Sequence, residues 1–199
     1  MFDIEYICSE LPHQNNSVYG VQYRGAAILT DGTHLDCVVY QSAQRVVDLA
    51  KRRFDETRPK KRLLGSSDHT QYDQIVKSFV ASGNRVSAYD IQDVVRSKFA
   101  IPDDLRNQIC GETFMGWTGW VFEMSDGSFF QYGSPYSFDF FSLPDGYDFE
   151  DVANVHNHSY LSASGALVEL ERGAMPPADY KMDDCYREKV SFRCAIDDI

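Results

Sequence analysis

The chain has 199 residues and a formal net charge of −11, with 43% hydrophobic and 25% charged residues. With only 7 Pro and 13 Gly, this composition excludes a disordered or collagen-like chain and indicates a globular fold. No run of about 18 apolar residues is present, so the sequence predicts no membrane-spanning helix. Residues 1–5 are acidic where a secretory signal needs a basic segment, and the five cysteines are widely spaced without a CxxC pair. These features predict a cytoplasmic protein with reduced thiols.

Charge is unevenly distributed along the chain. Residues 45–106 carry 13 Lys and Arg against 9 Asp and Glu, whereas residues 107–171 contain no Lys or Arg, 10 Asp and Glu, and 14 of the 27 aromatic residues. Nucleic-acid binding requires Lys and Arg to neutralise phosphates, so this acidic segment argues against a nucleic-acid partner. It favours a protein partner with a basic surface, which charge would steer and aromatic side chains would anchor. The alternative is an acidic protein whose aromatic residues form its core and whose carboxylates are only solvated.

The first part of the chain predicts a hairpin followed by a helix. Residues 26–40 contain two apolar segments around Thr30-Asp31-Gly32-Thr33, and Asp-Gly suits the positive φ of a tight hairpin turn. Ser42 is a suitable N-cap for a helix that ends near Glu56. The predicted buried face of this helix consists of Val46, Val47, Ala50 and Phe54.

Further helices are predicted in the middle of the chain. One begins at Asp68 and ends at Gly83, and another begins at Pro102 and ends at Gly111. Residues 87–99 fit either a helix or a strand, because their apolar positions are compatible with both periods.

The last part of the chain predicts mainly strands. A second Asp-Gly turn, Ser125-Asp126-Gly127-Ser128, separates two aromatic segments, and residues 148–156 are predicted to form a short helix. Further strands are predicted at residues 136–141, 166–170 and 190–196. The core around the second turn is predicted to contain Trp117, Trp120, Phe122, Phe129, Phe138 and Phe140.

These elements predict an α+β fold with mainly antiparallel sheets, built from Asp-Gly hairpins, and three to four helices in the middle of the chain. We expect one domain over residues 1–199. Its possible subdivisions are a hairpin and helix at residues 1–60, a helical segment at 61–111 and an acidic, aromatic-rich β segment at 112–199.

One pair of histidines has the spacing of a metal site. If His156-Asn157-His158 lies on a strand, both imidazoles project to the same face, as two ligands of one Zn²⁺ would. This spacing resembles the JAMM (MPN) metalloprotease family, in which His-x-His and a later Asp bind zinc and an upstream Glu acts on the metal-bound water. The resemblance implies His156, His158 and Asp179 as zinc ligands and Glu112 as the catalytic carboxylate.

The pattern also departs from that family. The family's Ser-x-x-Asp corresponds here to Pro176-Pro177-Ala178-Asp179, and the Pro that usually follows the second His is Ser159. The alternative is two polar imidazoles that hydrogen-bond with neighbours such as Asn154 and Asn157.

The sequence favours a protein-binding or inhibitory module over an enzyme, with a zinc hydrolase as the alternative. Small acidic immunity proteins and nucleic-acid mimics behave in this way as classes. Exposed aromatic residues near Tyr136, Phe141, Tyr147 or Phe149 are expected to bury apolar area against the partner. The segment predicted to bind contains Asp145, Tyr147, Asp148, Phe149, Glu150 and Asp151.

Overall fold

The computed structural model describes residues 3–17, 19–57, 83–135, 137–173 and 175–197. Its sheets are mainly antiparallel and are accompanied by helices, which confirms the predicted mixed α and β class. The chain divides into two compact units, Met1–Arg96 with Ser191–Ile199, and Ser97–Val190. No helix in the described part of the chain is long and apolar enough to cross a membrane.

The elements follow one another in chain order, together with short 3-10 helices at Ala88–Asp90, Phe149–Asp151 and Met182–Asp184. They are α1 (Ile4–Glu10), β1 (His13–Asn16), β2 (Gly20–Leu29), β3 (His34–Ser42), α2 (Ala43–Thr57), β4 (Arg85–Val86), β5 (Ile91–Val95), α3 (Asp103–Arg106), β6 (Thr118–Met124), β7 (Phe129–Ser134), β8 (Val152–Asn157), β9 (Ser159–Leu161), β10 (Leu167–Glu169) and β11 (Phe192–Ile196).

The first unit contains a six-stranded sheet with the order β1-β2-β3-β11-β4, and β5 also pairs with β2. Strands β2 and β3 are antiparallel neighbours, joined by a turn in which Gly32 has φ 86. Strand β2 pairs with β1 along its first residues and with β5 along its last residues, which its length of 10 residues permits. Strand β11 is parallel to both β3 and β4 and lies between them.

Apolar side chains cover the sheet of the first unit. One cluster of buried residues comprises Ile7, Leu11, Ala27, Val38, Tyr40, Ile91, Val94, Cys194 and Ile196. In α2 the buried side chains are Val46 and Leu49, whereas Val47 is 45% exposed. The predicted inclusion of Val47 in the buried face is therefore wrong, and Leu49, three residues after Val46, takes that place at helical spacing.

The second unit contains a three-stranded antiparallel sheet, β7-β6-β8, and a two-stranded antiparallel sheet, β10-β9. Gly127, at φ 84, lies in the turn between β6 and β7. The main core of the second unit surrounds Trp120, whose ring contacts those of Phe122, Tyr132, Phe138 and Phe141. A separate cluster of buried residues consists of Phe114, Trp117, Tyr160, Tyr180 and Cys185.

Several predicted elements differ from those observed. Residues 148–156, predicted as a helix, form a 3-10 turn followed by β8, because Val152 to Asn157 pair with β6. Residues 87–99, which fitted either a helix or a strand, contain a 3-10 turn and β5. Residues 136–141, predicted as a strand, make only isolated bridges at Phe140 and Phe141 in the described part. The helix after Pro102 ends at Arg106 rather than Gly111.

Two predictions are not decided by these observations. The predicted helix from Asp68 lies outside the described residues, apart from its final Gly83. The observed units divide between residues 96 and 97, whereas the predicted subdivisions end at residues 60 and 111. Whether the chain behaves as one domain in solution stays a prediction.

Candidate functional site

The predicted acidic segment is held in place by backbone hydrogen bonds. Tyr147 N–H donates to the carbonyl oxygen of Pro144 (3.2 Å), and Gly146 between them has φ 92. Asp148 N–H donates to Asp151 Oδ2 (2.8 Å) at the start of the 3-10 turn. The carbonyl oxygen of Asp151 accepts from Ser125 N–H (2.8 Å), which ties the segment to the turn at residues 125–128.

The two aromatic residues of this segment are turned towards the core of the second unit. Tyr147 and Phe149 are half-buried and lie against the main core. The Tyr147 hydroxyl donates to Asp126 Oδ2 (2.7 Å) and lies 3.0 Å from Ser128 Oγ. The ring of Phe149 meets that of Phe122 edge-on, with centroids 6.3 Å apart.

Of the other two aromatic residues expected near the binding surface, the structure describes Phe141. Phe141 is fully buried, because its ring packs edge-on against those of Trp120 and Tyr132. The prediction that it lies exposed is wrong. Tyr136 lies outside the described residues.

Asp126 joins the predicted carboxylates through Tyr147, although sequence reasoning omitted it from the site. Its carboxylate accepts from Ser128 N–H (2.9 Å) and from the Tyr147 hydroxyl, and these hydrogen bonds lower its pKa below the ordinary value. The available signal was its position in an Asp-Gly turn. We call the resulting group the acidic corner: Asp126, Asp145, Asp148 and Glu150, which are exposed, and Asp151, which is half-buried.

A row of rings connects the acidic corner to an exposed aromatic side chain. The Phe130 ring meets that of Tyr147 at 5.0 Å and that of Tyr186 at 6.3 Å, edge-on in both cases. Tyr186 is 40% exposed, and its inner side stacks on buried Tyr132 with centroids 5.1 Å apart. Backbone hydrogen bonds to Gln131 and Gly133 hold Tyr186 beside β7. We call Tyr147, Phe130 and Tyr186 the aromatic row. Sequence reasoning missed Tyr186 because Phe130 and Tyr186, which are 56 positions apart in the chain, meet only in the fold.

The histidines predicted to bind zinc have separate partners. His156 Nε2 lies 2.8 Å from Glu123 Oε2, which also accepts from Asn154 Nδ2 (3.0 Å). These contacts lower the pKa of Glu123, with the His156 hydrogen bond as the largest cause. The sequence offered Asn154 as a neighbour of this imidazole, and Glu123 lies beside it because β6 and β8 pair.

His158 leaves the strand and enters a left-handed turn, with φ 54. Its Nδ1 lies 2.8 Å from Thr113 Oγ1 and its Nε2 lies 3.1 Å from Asn157 Nδ2. Since an amide nitrogen only donates, Nε2 accepts and Nδ1 carries the proton that it donates to Thr113, the arrangement of a neutral ring. Burial, followed by the charge of Arg172, lowers the pKa of His158 and favours the same neutral form. The condition under which both imidazoles would project to the same face, a strand that continues through His158, is therefore not met.

The remaining residues of the predicted zinc site lie elsewhere. Glu112 is exposed, and its backbone oxygen accepts from Arg172 Nε at 3.5 Å. Asp179 Oδ1 accepts from the Tyr160 hydroxyl (2.9 Å). Within the described ranges, no group of three or more His, Cys, Asp or Glu side chains is arranged to hold a metal ion. The structure does not bring Glu112, His156, His158 and Asp179 together, and their arrangement does not fit the zinc site that the JAMM resemblance implies.

Comparisons of the chain with protein-family models, with curated proteins and with solved structures found no match in any of the three.

Chemically, the acidic corner offers carboxylates that face solvent, and the aromatic row offers a partly exposed apolar surface beside them. A cationic and partly apolar surface has the complementary chemistry.

Proposed function

We propose that the protein is a protein-binding module, and that the acidic corner and the aromatic row form its binding surface. The observation that carries the proposal is the contact of Tyr147 with Phe130 and of Phe130 with Tyr186. Through these contacts, exposed Tyr186 is connected by Phe130 to Tyr147, whose hydroxyl is hydrogen-bonded to Asp126 of the acidic corner. Tyrosine is enriched among the residues that contribute most binding energy, and a polar rim commonly surrounds such residues.

The charge of the surface indicates the chemistry of the partner. Asp145, Asp148 and Glu150 are exposed, and the sequence from residue 107 to residue 171 supplies no Lys or Arg to compensate them. A basic protein surface would relieve their mutual repulsion and would be steered towards them. Coverage of a basic, nucleic-acid-binding site on another protein is the more specific, inhibitory form of this function that we propose.

The backbone around the carboxylates supports the same function. Asp148 N–H is bound to Asp151, and the carbonyl oxygen of Asp151 is bound to Ser125, so the segment is ordered before any partner arrives. A preorganised surface loses less conformational entropy on binding than a mobile loop does. The carboxylates are then presented in one arrangement, which favours specificity as well as encounter.

The experiment compares two triple variants that change net charge equally. In the site variant, Asp145→Asn, Asp148→Asn and Glu150→Gln neutralise the acidic corner. In the control variant, Asp55→Asn, Asp104→Asn and Glu169→Gln neutralise three other exposed carboxylates. Each immobilised protein captures partners from native lysate, and the association rate of the recovered protein is then measured at two salt concentrations.

We expect the site variant to recover less of a basic protein and to associate with it more slowly, while the control variant behaves like wild type. The difference should shrink with salt, because the Debye length falls from ~10 Å at 0.1 M to ~3 Å at 1 M. Tyr186→Ala should mainly accelerate dissociation, because it removes apolar contact area. Equal recovery by all variants, or equal losses in the site and control variants, would contradict this surface.

A further inference from the structure

The chain contains three Asp-Gly pairs in turns, at residues 31–32, 126–127 and 145–146. In each pair the glycine has positive φ, between 84 and 92. All three aspartates are exposed. Asp-Gly is the dipeptide in which the backbone nitrogen of the second residue attacks the side-chain carboxyl group of the first most readily, because glycine has no side chain to obstruct the approach. The three pairs can therefore be compared directly.

In the first two turns, both the aspartate carboxylate and the glycine N–H are hydrogen-bonded. Asp31 Oδ1 accepts from Thr33 N–H (2.9 Å), and Gly32 N–H donates to the carbonyl oxygen of Leu29 (2.9 Å). Asp126 Oδ1 accepts from Ser128 N–H (2.9 Å), and Gly127 N–H donates to the carbonyl oxygen of Met124 (2.9 Å).

These hydrogen bonds oppose the reaction in three ways. They hold the carboxylate on the nitrogen two residues ahead, away from the neighbouring nitrogen that would attack it. They also lower the pKa values of Asp31 and Asp126, which disfavours the protonated carboxyl group, the better electrophile. The bonded glycine nitrogen, in turn, must lose its acceptor before it attacks.

In the third turn, neither the aspartate carboxylate nor the glycine N–H is hydrogen-bonded to a described residue. In the part of the chain that the structure describes, no hydrogen bond or ion pair involves the Asp145 carboxylate, and none involves Gly146 N–H. Gly146 is exposed, and the position where a Cβ would lie has no other atom within 4 Å. Tyr147 N–H closes this turn instead, onto Pro144.

We propose that Asp145-Gly146 is a spontaneous modification site at which aspartate converts to isoaspartate. The Gly146 nitrogen bonds to Cγ of the protonated Asp145 carboxyl group, whose hydroxyl leaves with the amide proton as water, and a succinimide ring forms. Addition of water at Cγ restores aspartate. Addition of water at the main-chain carbonyl carbon gives isoaspartate, in which the backbone runs through Cβ and Cγ. The sequence of steps consumes and releases only water.

The product would alter the acidic corner without changing its charge. The free carboxylate remains, but it moves to the former main-chain carbon, and the backbone between Asp145 and Gly146 becomes one carbon longer. The spacing between the carboxylates of Asp145 and Asp148 therefore changes. The proposal goes beyond the binding function and does not depend on it, because the reaction needs no partner.

The test follows all three sites in one sample. The full folded chain is incubated at neutral pH and physiological temperature, digested, and analysed for isoaspartate in each Asp-Gly peptide by electron-transfer fragmentation. The same chain unfolded in denaturant provides the intrinsic rates. The variant Asp145→Glu is the matched control, because it keeps the charge but would require a less favourable six-membered ring.

In the folded chain we expect isoaspartate to form at residue 145 about thirtyfold faster than at residues 31 and 126, because each of the two hydrogen bonds present in those turns and absent here contributes a factor of about five. In denaturant the three rates should converge, and Asp145→Glu should remove the signal from its peptide alone. Equal rates at the three sites in the folded chain would overturn the proposal. Formation at residue 145 only after unfolding would overturn it as well.

Discussion

The two units have cores of different composition. The first unit buries mainly aliphatic side chains, such as Ile7, Val38 and Ile91, around Tyr40. The second buries aromatic rings around Trp120, and this set of rings continues through Tyr132 to partly exposed Tyr186. Aliphatic side chains end inside the core, whereas tyrosine has an apolar body and a polar tip that can face water. In the second unit, therefore, the core and the proposed binding surface share contacts.

The largest effect on stability is expected when one buried side chain in each core is truncated to alanine. Trp120→Ala should lower the free energy of unfolding by ~3–5 kcal/mol and Ile7→Ala by ~2–5 kcal/mol, since both residues are fully buried. Both values are obtained from denaturant unfolding. The control is Met115→Ala, at a residue 98% exposed, which should change stability by no more than ~0.5 kcal/mol.

The same measurements test the predicted single domain. One domain gives one unfolding transition, which both substitutions lower. Two transitions, of which Trp120→Ala lowers one and Ile7→Ala the other, would contradict that prediction and would make the two units independent.

The next test adds a methyl group beside each core. The Trp117 ring lies directly over Gly133, so that a Cβ there would overlap it. Gly133→Ala should cost ~1–3 kcal/mol through overpacking. Gly25→Ala should cost less, because the nearest atoms to a Cβ at Gly25, a Leu11 methyl group at 2.9 Å and the Val95 carbonyl oxygen at 3.0 Å, overlap it less than the Trp117 ring overlaps a Cβ at Gly133.

Urea unfolding of both variants measures this difference. The double variant Gly133→Ala, Trp117→Leu should cost less than the sum of its single changes, because the clash is removed with the ring. Strict additivity would show that Trp117 is not the obstacle.

A smaller effect is expected where the two units are alike. Gly32 and Gly127 have φ 86 and 84 with open space around them, so replacing either by Ala should cost ~1 kcal/mol through backbone conformation alone. Gly83→Ala is the matched control, because Gly83 also has open space but lacks positive φ. A Gly83 variant as destabilised as the other two in thermal unfolding would refute the conformational cause.

The smallest effect is expected in the pH dependence of stability that arises from His158 in the second unit. The pKa of His158 lies below its ordinary value of 6.5, so the folded chain binds this proton less readily than the unfolded chain. Stability from His158 is therefore present above pH 6.5 and is lost as the pH falls through the lowered pKa. His158→Asn, which tolerates the left-handed conformation, should flatten the stability profile in the pH window below 6.5. An unchanged slope in this window would contradict the assignment.

Local signals in the sequence account for part of this fold. Asp-Gly marks the turns at residues 31–32 and 126–127 because glycine adopts positive φ without steric cost. Pro102 precedes a short helix, as its fixed φ favours. The helix or strand ambiguity around Val152 and Val155 is decided only by pairing with β6, which the local sequence does not contain.

The site was predictable to a similar extent. The acidic run at residues 145–151 is visible from composition alone, because no cation interrupts it. The inward orientation of Tyr147 depends on Asp126 and Phe130, and the position of Tyr186 depends on β7. The strand-based argument for His158 failed because alternation holds only while the backbone stays extended, and this residue is left-handed.

The position of β11 has a consequence for biosynthesis. The ribosome makes residues 192–196 after all the other described strands, yet this strand lies between β3 and β4, parallel to both. Until it emerges, one side of β3 has unpaired backbone groups beside Val38, Val39 and Tyr40, an edge that other strands can join. The strands of the second unit all come from residues synthesised earlier. A nascent chain therefore contains all the described strands of the second unit while the first unit still lacks one of its inner strands, and during that interval the open edge of β3 can pair with other chains.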